Sequence, residues 1–179
     1  MRPSLLMRKS EALTGSSGSP ISWAHTLAVP PGMRPTILRR RLAAMLVAAR
    51  RRGVDVEIIV PGPILDAQVV RRASRQMWGP MLDAGVKIFE YQPTMYHTKV
   101  MVVDDIWCSV GSTNFDDRSF RLNQEANLNV YDPGFGAAQA AAFAKDRARS
   151  REITAEAWRH RSLLERVEER VAGVLRKQL

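Results

Sequence analysis

The spacing of apolar residues predicts that helices and strands alternate along the chain from residue 34 onward. Between Ile37 and Ala49 the apolar residues recur at the interval of an amphipathic helix, and Gly53 follows as a C-terminal cap. The segment Val54–Val60 alternates and then becomes continuously apolar, which is typical of a strand entering a core. We therefore expect a helix and then a strand.

The same two patterns, helical spacing and strand alternation, predict the remaining elements. We expect a helix over Leu65–Asp83 interrupted at Gly79-Pro80, strands over Val86–Tyr91, 97–104, Trp107–Val110 and Glu125–Tyr131, a helix from Pro133 to about Arg149, and a helix from Ile153 to the C-terminus. Strand, helix and strand in succession form a crossover unit on a parallel pair, and Asp104-Asp105 suits a tight hairpin turn. The expected fold class is α/β, a mixed β-sheet flanked by helices on both faces.

The first 33 residues show no sustained period. They contain Thr14–Pro20 and Val29–Gly32, two stretches rich in Ser, Gly or Pro. We expect a flexible, poorly ordered leader over 1–33 and a single domain over 34–179.

Composition limits the class of protein. The chain has 179 residues, 45% hydrophobic and 25% charged, which fits one soluble globular domain. No stretch approaches the roughly 20 apolar residues of a membrane-spanning helix. The single cysteine, Cys108, excludes an internal disulfide and a cysteine-based zinc site, and its apolar surroundings predict a buried thiol. We expect the protein to be cytoplasmic or to attach peripherally to the inner face of the cell membrane.

The net charge of +9 is unevenly distributed. Residues 34–75 carry ten Lys or Arg against three acidic residues, whereas residues 76–125 carry four basic and seven acidic residues. Basic charge attracts anionic lipid head groups or nucleic acid. A solvated, arginine-rich helix face accounts for the same pattern, so the charge alone does not separate these alternatives.

The candidate chemistry lies between residues 97 and 125. His97, Lys99 and Asp104 are followed by Gly111, Ser112 and Asn114, in the pattern H-x-K-x4-D-x6-G-S-x-N. Residues two apart on a strand project from the same face, so His97 would have the ammonium group of Lys99 beside it. An imidazole nucleophile beside a fixed positive charge suits attack on a phosphate diester. Asp104 has the opposite strand parity, and we expect it to support the turn without touching phosphate.

Residues 96–132, with the stretches Gly111–Glu125 and Asn129–Asp132, resemble the phospholipase D superfamily. More narrowly, they resemble the second catalytic motif of bacterial cardiolipin synthases, and the similarity covers about residues 34–179. The resemblance implies a phospholipase D-like half-domain and phosphodiester chemistry without a metal or other cofactor. In that chemistry a histidine forms a phosphohistidine, which water or an alcohol then displaces.

The resemblance also implies a role for each motif residue. His97 is the nucleophile or its acid–base partner, Lys99 and Asn114 hold the non-bridging oxygens, and Glu125 orients the histidine ring. The expected catalytic set is His97, Lys99, Asp104, Asn114 and Glu125, and the expected substrate-binding pair is Gly111 and Ser112.

Members of this superfamily need two such motifs, and this chain carries one. Three alternatives follow: a homodimer in which two copies of His97 meet, one half of a split synthase completed by a partner chain, or a truncated remnant. Details of the motif favour a phosphatidyltransferase of the cardiolipin synthase type acting on phosphatidylglycerol. The alternatives are a homodimeric phosphodiesterase or nuclease, for which nucleic acid would be the partner, and an inactive fragment or membrane-surface binding module.

Overall fold

The computed structural model describes residues 4–9, 35–64, 75, 77–113, 124–163, 165 and 167. The elements in chain order are β1 (Ser4–Lys9), α1 (Pro35–Arg51), β2 (Val54–Pro61), α2 (Trp78–Asp83), β3 (Lys87–Tyr91), β4 (Val100–Val103), β5 (Trp107–Gly111), β6 (Asn127–Tyr131), α3 (Pro133–Ala148), β7 (Ser150–Ile153) and α4 (Ala155–Arg159).

The described strands form one seven-stranded mixed sheet in the order β6-β5-β4-β1-β2-β3-β7. β2 and β3 are parallel, as the strand–helix–strand pattern predicts, and β1 is parallel to β4. The other neighbouring strands are antiparallel. The sheet is therefore mixed, as expected.

Strand β1 lies in the middle of this sheet and corrects the expected leader. It pairs along its whole length with β2 and, through Leu5–Met7, with β4. The expectation of poor order is wrong for residues 4–9, and the other residues of the expected leader lie outside those described. The sequence of a strand buried on both faces is a short apolar run without alternation, so its pattern gives little indication that a strand is present.

Helices cover both faces of the sheet, which confirms the expected fold class. On one face, α1, α2 and α4 pack against Val56, Ile58 and Ile88. On the other face, α3 packs through Phe143 against a core that includes Ile59. Neighbouring residues of β2 thus serve opposite cores, because successive side chains of a strand point to opposite faces.

Cys108 lies in the second of these cores and is fully buried. Burial, with a smaller contribution from Asp105, raises the pKa of its thiol. The prediction of a buried thiol is confirmed.

The hairpin between β4 and β5 turns at Asp104 and Asp105, as predicted. Their φ angles are 48° and 55°, and Ile106 N donates a hydrogen bond to Val103 O at 3.1 Å. Two successive residues with positive φ form the turn whose twist matches the flanking strands.

The C-terminal part differs from the prediction. Ser150–Ile153 form β7, antiparallel to β3, so the predicted helix from Ile153 onward is wrong at its start. α4 begins after Thr154, whose side chain accepts a hydrogen bond from Ala157 N, and ends at Arg159 with His160 as its C-cap. Residues 160–162 are not helical, so the predicted helix is also interrupted there. β7 is specified by a partner distant in the sequence, which local periodicity does not reveal.

Within the predicted helix over Leu65–Asp83, the structure describes residue 75 and residues 77–83. Of these, residue 75 and Trp78–Asp83 are helical. Pro80 lies in the first turn of α2, where its missing N–H is not needed by the helix. Within the described residues, no helix combines the length and the apolar character required to cross a bilayer.

Candidate active site

Five of the predicted site residues come together at one edge of the sheet. Because β4, β5 and β6 are successive antiparallel neighbours, the start of β4, the end of β5 and the start of β6 share an edge. His97 and Lys99 precede β4, Gly111 and Ser112 lie at the end of β5, and Glu125 precedes β6. Gly111 N donates a hydrogen bond to Lys99 O at 3.3 Å, which joins the first two of these segments.

His97 and Lys99 lie side by side, as predicted, although the strand begins only at Val100. Lys99 Nζ is 2.9 Å from His97 Nδ1, 3.0 Å from His97 Nε2 and 2.9 Å from the His97 carbonyl oxygen. A neutral imidazole has one acceptor nitrogen, so at most one of the two ring contacts is a hydrogen bond. The ammonium group therefore rests against an exposed imidazole ring.

The Gly-Ser pair fixes the end of β5 against the start of β6. Ser112 N donates to Ala126 O at 3.0 Å, and Ala126 N donates to Ser112 Oγ at 3.0 Å. A Cβ at Gly111 would collide with Asn127 Oδ1 and Ala126 O. Glycine at 111 and serine at 112 therefore hold the backbone next to Glu125 in place.

Asn127 belongs to this edge, and the sequence reasoning missed it. Its Oδ1 accepts a hydrogen bond from Thr113 N at 3.3 Å, and its Nδ2 donates to Ser109 Oγ at 3.4 Å. Asn127 lies directly opposite Gly111 in the sheet. The signal for it was an amide residue at the start of a predicted strand, facing a glycine that a close approach requires.

One predicted residue, Asp104, is not brought to this edge. Asp104 lies in the hairpin turn at the opposite end of β4, where its N–H donates to Met7 O at 2.9 Å. Its position agrees with the expected support of the turn and separates it from His97. Asn114 lies outside the described residues. Glu125 is half-buried at the edge, and its contact with the His97 ring stays a prediction.

Tyr96 is buried directly before His97, with 4% of its surface exposed. Burial raises the pKa of Tyr96 to about 12, and the charge of Asp146 adds to the shift, whereas the hydrogen bond with the Ser4 side chain opposes it. The hydroxyl group thus keeps its proton throughout the neutral range.

Residues 33–147 match the family model described as "Cardiolipin synthase, PLD-like domain". The chain belongs to this family. The membership agrees with the resemblance drawn from the motif, and the matched residues contain the whole site edge.

Curated relatives within the family are similar over the same part of the chain. Cardiolipin synthase A of Erwinia tasmaniensis is 42% identical over 126 residues, which cover 70% of this chain and 26% of that protein. Cardiolipin synthase A of Yersinia pseudotuberculosis serotype O:1b gives the same identity and coverage, 42% over 126 residues. The chain therefore spans about a quarter of the length of these relatives.

A solved structure shows the same fold. The crystal structure of a phospholipase D family member, Nuc from Salmonella typhimurium, matches with a TM-score of 0.58, covering 86% of this chain and 83% of that one. The sequence identity is 20%, so the match is evidence for the fold alone. It confirms the expected phospholipase D-like fold.

Proposed function

We propose that this chain is a phosphatidyltransferase domain of the phospholipase D type and that phosphatidylglycerol is its substrate. In the first step, an imidazole nitrogen of His97 bonds to phosphorus and the bond between phosphorus and the glycerol headgroup oxygen breaks. A second histidine gives that oxygen its proton, and glycerol leaves. In the second step, a hydroxyl group of another phosphatidylglycerol attacks phosphorus, its proton returns to the second histidine, and the bond to His97 breaks.

The observation that carries this proposal is the contact between Lys99 Nζ and the exposed ring of His97. A phosphodiester at His97 would bring its non-bridging oxygens within reach of this ammonium group, which stabilises charge that builds on them. Lys99 would have to turn from the ring to the phosphate as substrate binds, which frees the attacking nitrogen. Family membership and the resemblance of the motif support the same reaction.

The other residues receive supporting roles in this proposal. Asn114 would hold a non-bridging oxygen beside Lys99. Glu125 would accept a hydrogen bond from the ring of His97, which fixes the nitrogen presented to phosphorus. Ser112 acts mainly through Ala126, because its hydroxyl group already accepts from that backbone N–H.

Exposed apolar side chains at the same edge favour a lipid over nucleic acid. Ile64, which follows β2, is 51% exposed, Met95, which precedes β4, is 41% exposed, and Leu128, near the start of β6, is 64% exposed. Such residues can contact acyl chains at a bilayer surface, and the net charge of +9 favours an anionic one. Peripheral contact with the inner face of the membrane is part of the proposal.

The second histidine would come from another polypeptide, either a second copy of this chain or a partner chain. A second copy would place two His97 residues across a two-fold axis. Mixing wild type with an equal amount of His97→Ala separates the two sources. At constant total protein, and relative to wild type alone, activity should fall to about a quarter if both histidines are His97 of freely exchanging copies. It should fall to about half if each chain acts independently of the variant.

The test of the function uses vesicles of phosphatidylglycerol and, separately, single-stranded DNA. We expect glycerol release with vesicles, its loss in His97→Ala, and its retention in His160→Ala, a matched change at an exposed histidine that caps α4. Cleavage of DNA, lost steeply as salt rises, would instead establish the nuclease alternative. Equal behaviour of wild type and His97→Ala on both substrates would overturn the proposal.

A further inference from the structure

The sheet does not fix the position of His97, because β4 begins three residues later at Val100. The two residues on either side of Tyr96, Met95 and His97, are exposed, whereas Tyr96 itself is buried. Tyr96 is therefore the buried residue adjacent to the proposed nucleophile. Its contacts determine how firmly the histidine backbone is held.

Three elements hold the side chain of Tyr96. Its hydroxyl group lies 2.8 Å from Ser4 Oγ of β1 and 3.3 Å from Asp146 Oδ2 of α3. Its ring packs against the ring of Tyr91 at the end of β3, with centroids 4.8 Å apart. The central strand β1, the strand β3, which lies two positions from it in the sheet, and the covering helix α3 therefore converge on one side chain.

The partners of Tyr96 are themselves fixed. Ser4 is 2% exposed. Asp146 Oδ1 accepts a hydrogen bond from Arg149 Nη2 at 2.8 Å, and the guanidinium group of Arg149 lies 5.2 Å from the centre of the Tyr91 ring. We call these five residues, Tyr96, Tyr91, Ser4, Asp146 and Arg149, the tyrosine anchor.

Tyr96 is joined to His97 directly through the backbone, so the anchor fixes the chain immediately before the histidine. A rigid attachment is what a nucleophile needs, because a misplacement of 1 Å can cost roughly a hundredfold in rate.

We infer that Tyr96 is a positioning residue for His97, and that its hydroxyl group holds the imidazole where it can attack phosphorus. The inference rests on the proposed function for its effect on turnover. Tyr96 does not touch the substrate, and it acts only through the backbone of His97.

The test is Tyr96→Phe, which keeps the ring and removes the hydroxyl group. We expect kcat with phosphatidylglycerol vesicles to fall on the order of tenfold or more, with KM changed less than about twofold, because an exposed binding edge is retained while the nucleophile is displaced. Ser4→Ala should lower kcat in the same direction and by less. Tyr91→Phe is the matched control, because it removes a hydroxyl group from the same pair of rings without touching Ser4 or Asp146.

A second readout does not require turnover. In histidine-labelled protein, the ring signal of His97 should shift or broaden in Tyr96→Phe, while that of His160 stays in place. Thermal unfolding of each variant defines a temperature at which all are folded, and the comparisons are made there.

The outcomes separate the two proposals. If the wild-type chain alone turns over no phosphatidylglycerol, its activity as a homodimer is overturned, and the His97 signal alone decides the positioning role. If Tyr96→Phe keeps both kcat and the His97 signal, the positioning role is overturned while the proposed function stands. An equal loss of kcat in Tyr91→Phe would also overturn it, because the effect would then not be specific to the hydroxyl group of Tyr96.

Discussion

Replacing Gly111 with alanine tests whether the contact between β5 and β6 builds the site. The new Cβ would lie 2.7 Å from the Cα of Asn127 and would overlap Asn127 Oδ1 and Ala126 O. Ordinary carbon contacts are about 3.5–4.0 Å, so β6 would have to retreat by roughly 1 Å. We expect a loss of about 1–3 kcal/mol in the free energy of unfolding, which is the usual cost of overpacking. For a chain of this size that corresponds to a fall of roughly 2–12 °C in Tm.

The same displacement should impair turnover, because Glu125 precedes the strand that moves. Thermal unfolding and glycerol release from phosphatidylglycerol vesicles measure the two effects on one preparation. Gly134→Ala is the matched control: its Cβ would meet only Asp132 Oδ1, at 3.2 Å, and alanine suits a helix better than glycine by up to about 1 kcal/mol. Wild-type Tm and wild-type turnover in Gly111→Ala would refute the reasoning.

Three further predictions concern stability. The pKa of Tyr96 is raised from 10.0 to about 12, so protonated Tyr96 stabilises the folded protein fully below pH 10, and this stabilisation is lost as the pH rises toward 12. Urea unfolding should show this alkaline loss in wild type, and an equal loss in Tyr96→Phe would contradict it. Asp132→Ala removes the cap that accepts from Phe135 N at 2.6 Å and should cost about 1 kcal/mol, read from the urea midpoint; an unchanged midpoint would show that the cap contributes nothing. Ile59→Ala, at a position with 0% exposure, should cost about 2–5 kcal/mol in the same assay, and a cost below that range would mean that the core refills the space.

Local periodicity predicted the elements that pair with their neighbours in the chain. The strand β2, the hairpin at Asp104-Asp105 and the helix that opens at Pro133 depend on short-range signals, and all three are present. The adjacency of His97 and Lys99 was predicted for the same reason. Sequence spacing of two residues is enough to bring such side chains together.

Elements held by distant partners could not be predicted in this way. β1 and β7 exist because they pair with strands from other parts of the chain, and neither shows a period of its own. The buried Glu90 is a similar case, since it has 0% exposure and is neutralised by Arg151 at 2.7 Å, a residue sixty-one positions away. Tyr96 was overlooked as well, because its partners Ser4 and Asp146 are brought to it only by the folded sheet and α3.

The most direct test of the proposed reaction is to trap the covalent intermediate. The protein is mixed with phosphatidylglycerol vesicles, quenched during turnover and digested, and the peptide that contains His97 is analysed by tandem mass spectrometry. The account predicts a phosphatidyl group on the imidazole ring of His97, which is lost in acid and absent from the peptide that contains His160. Turnover accompanied by an adduct on a different residue, or turnover that persists in His97→Ala, would contradict it.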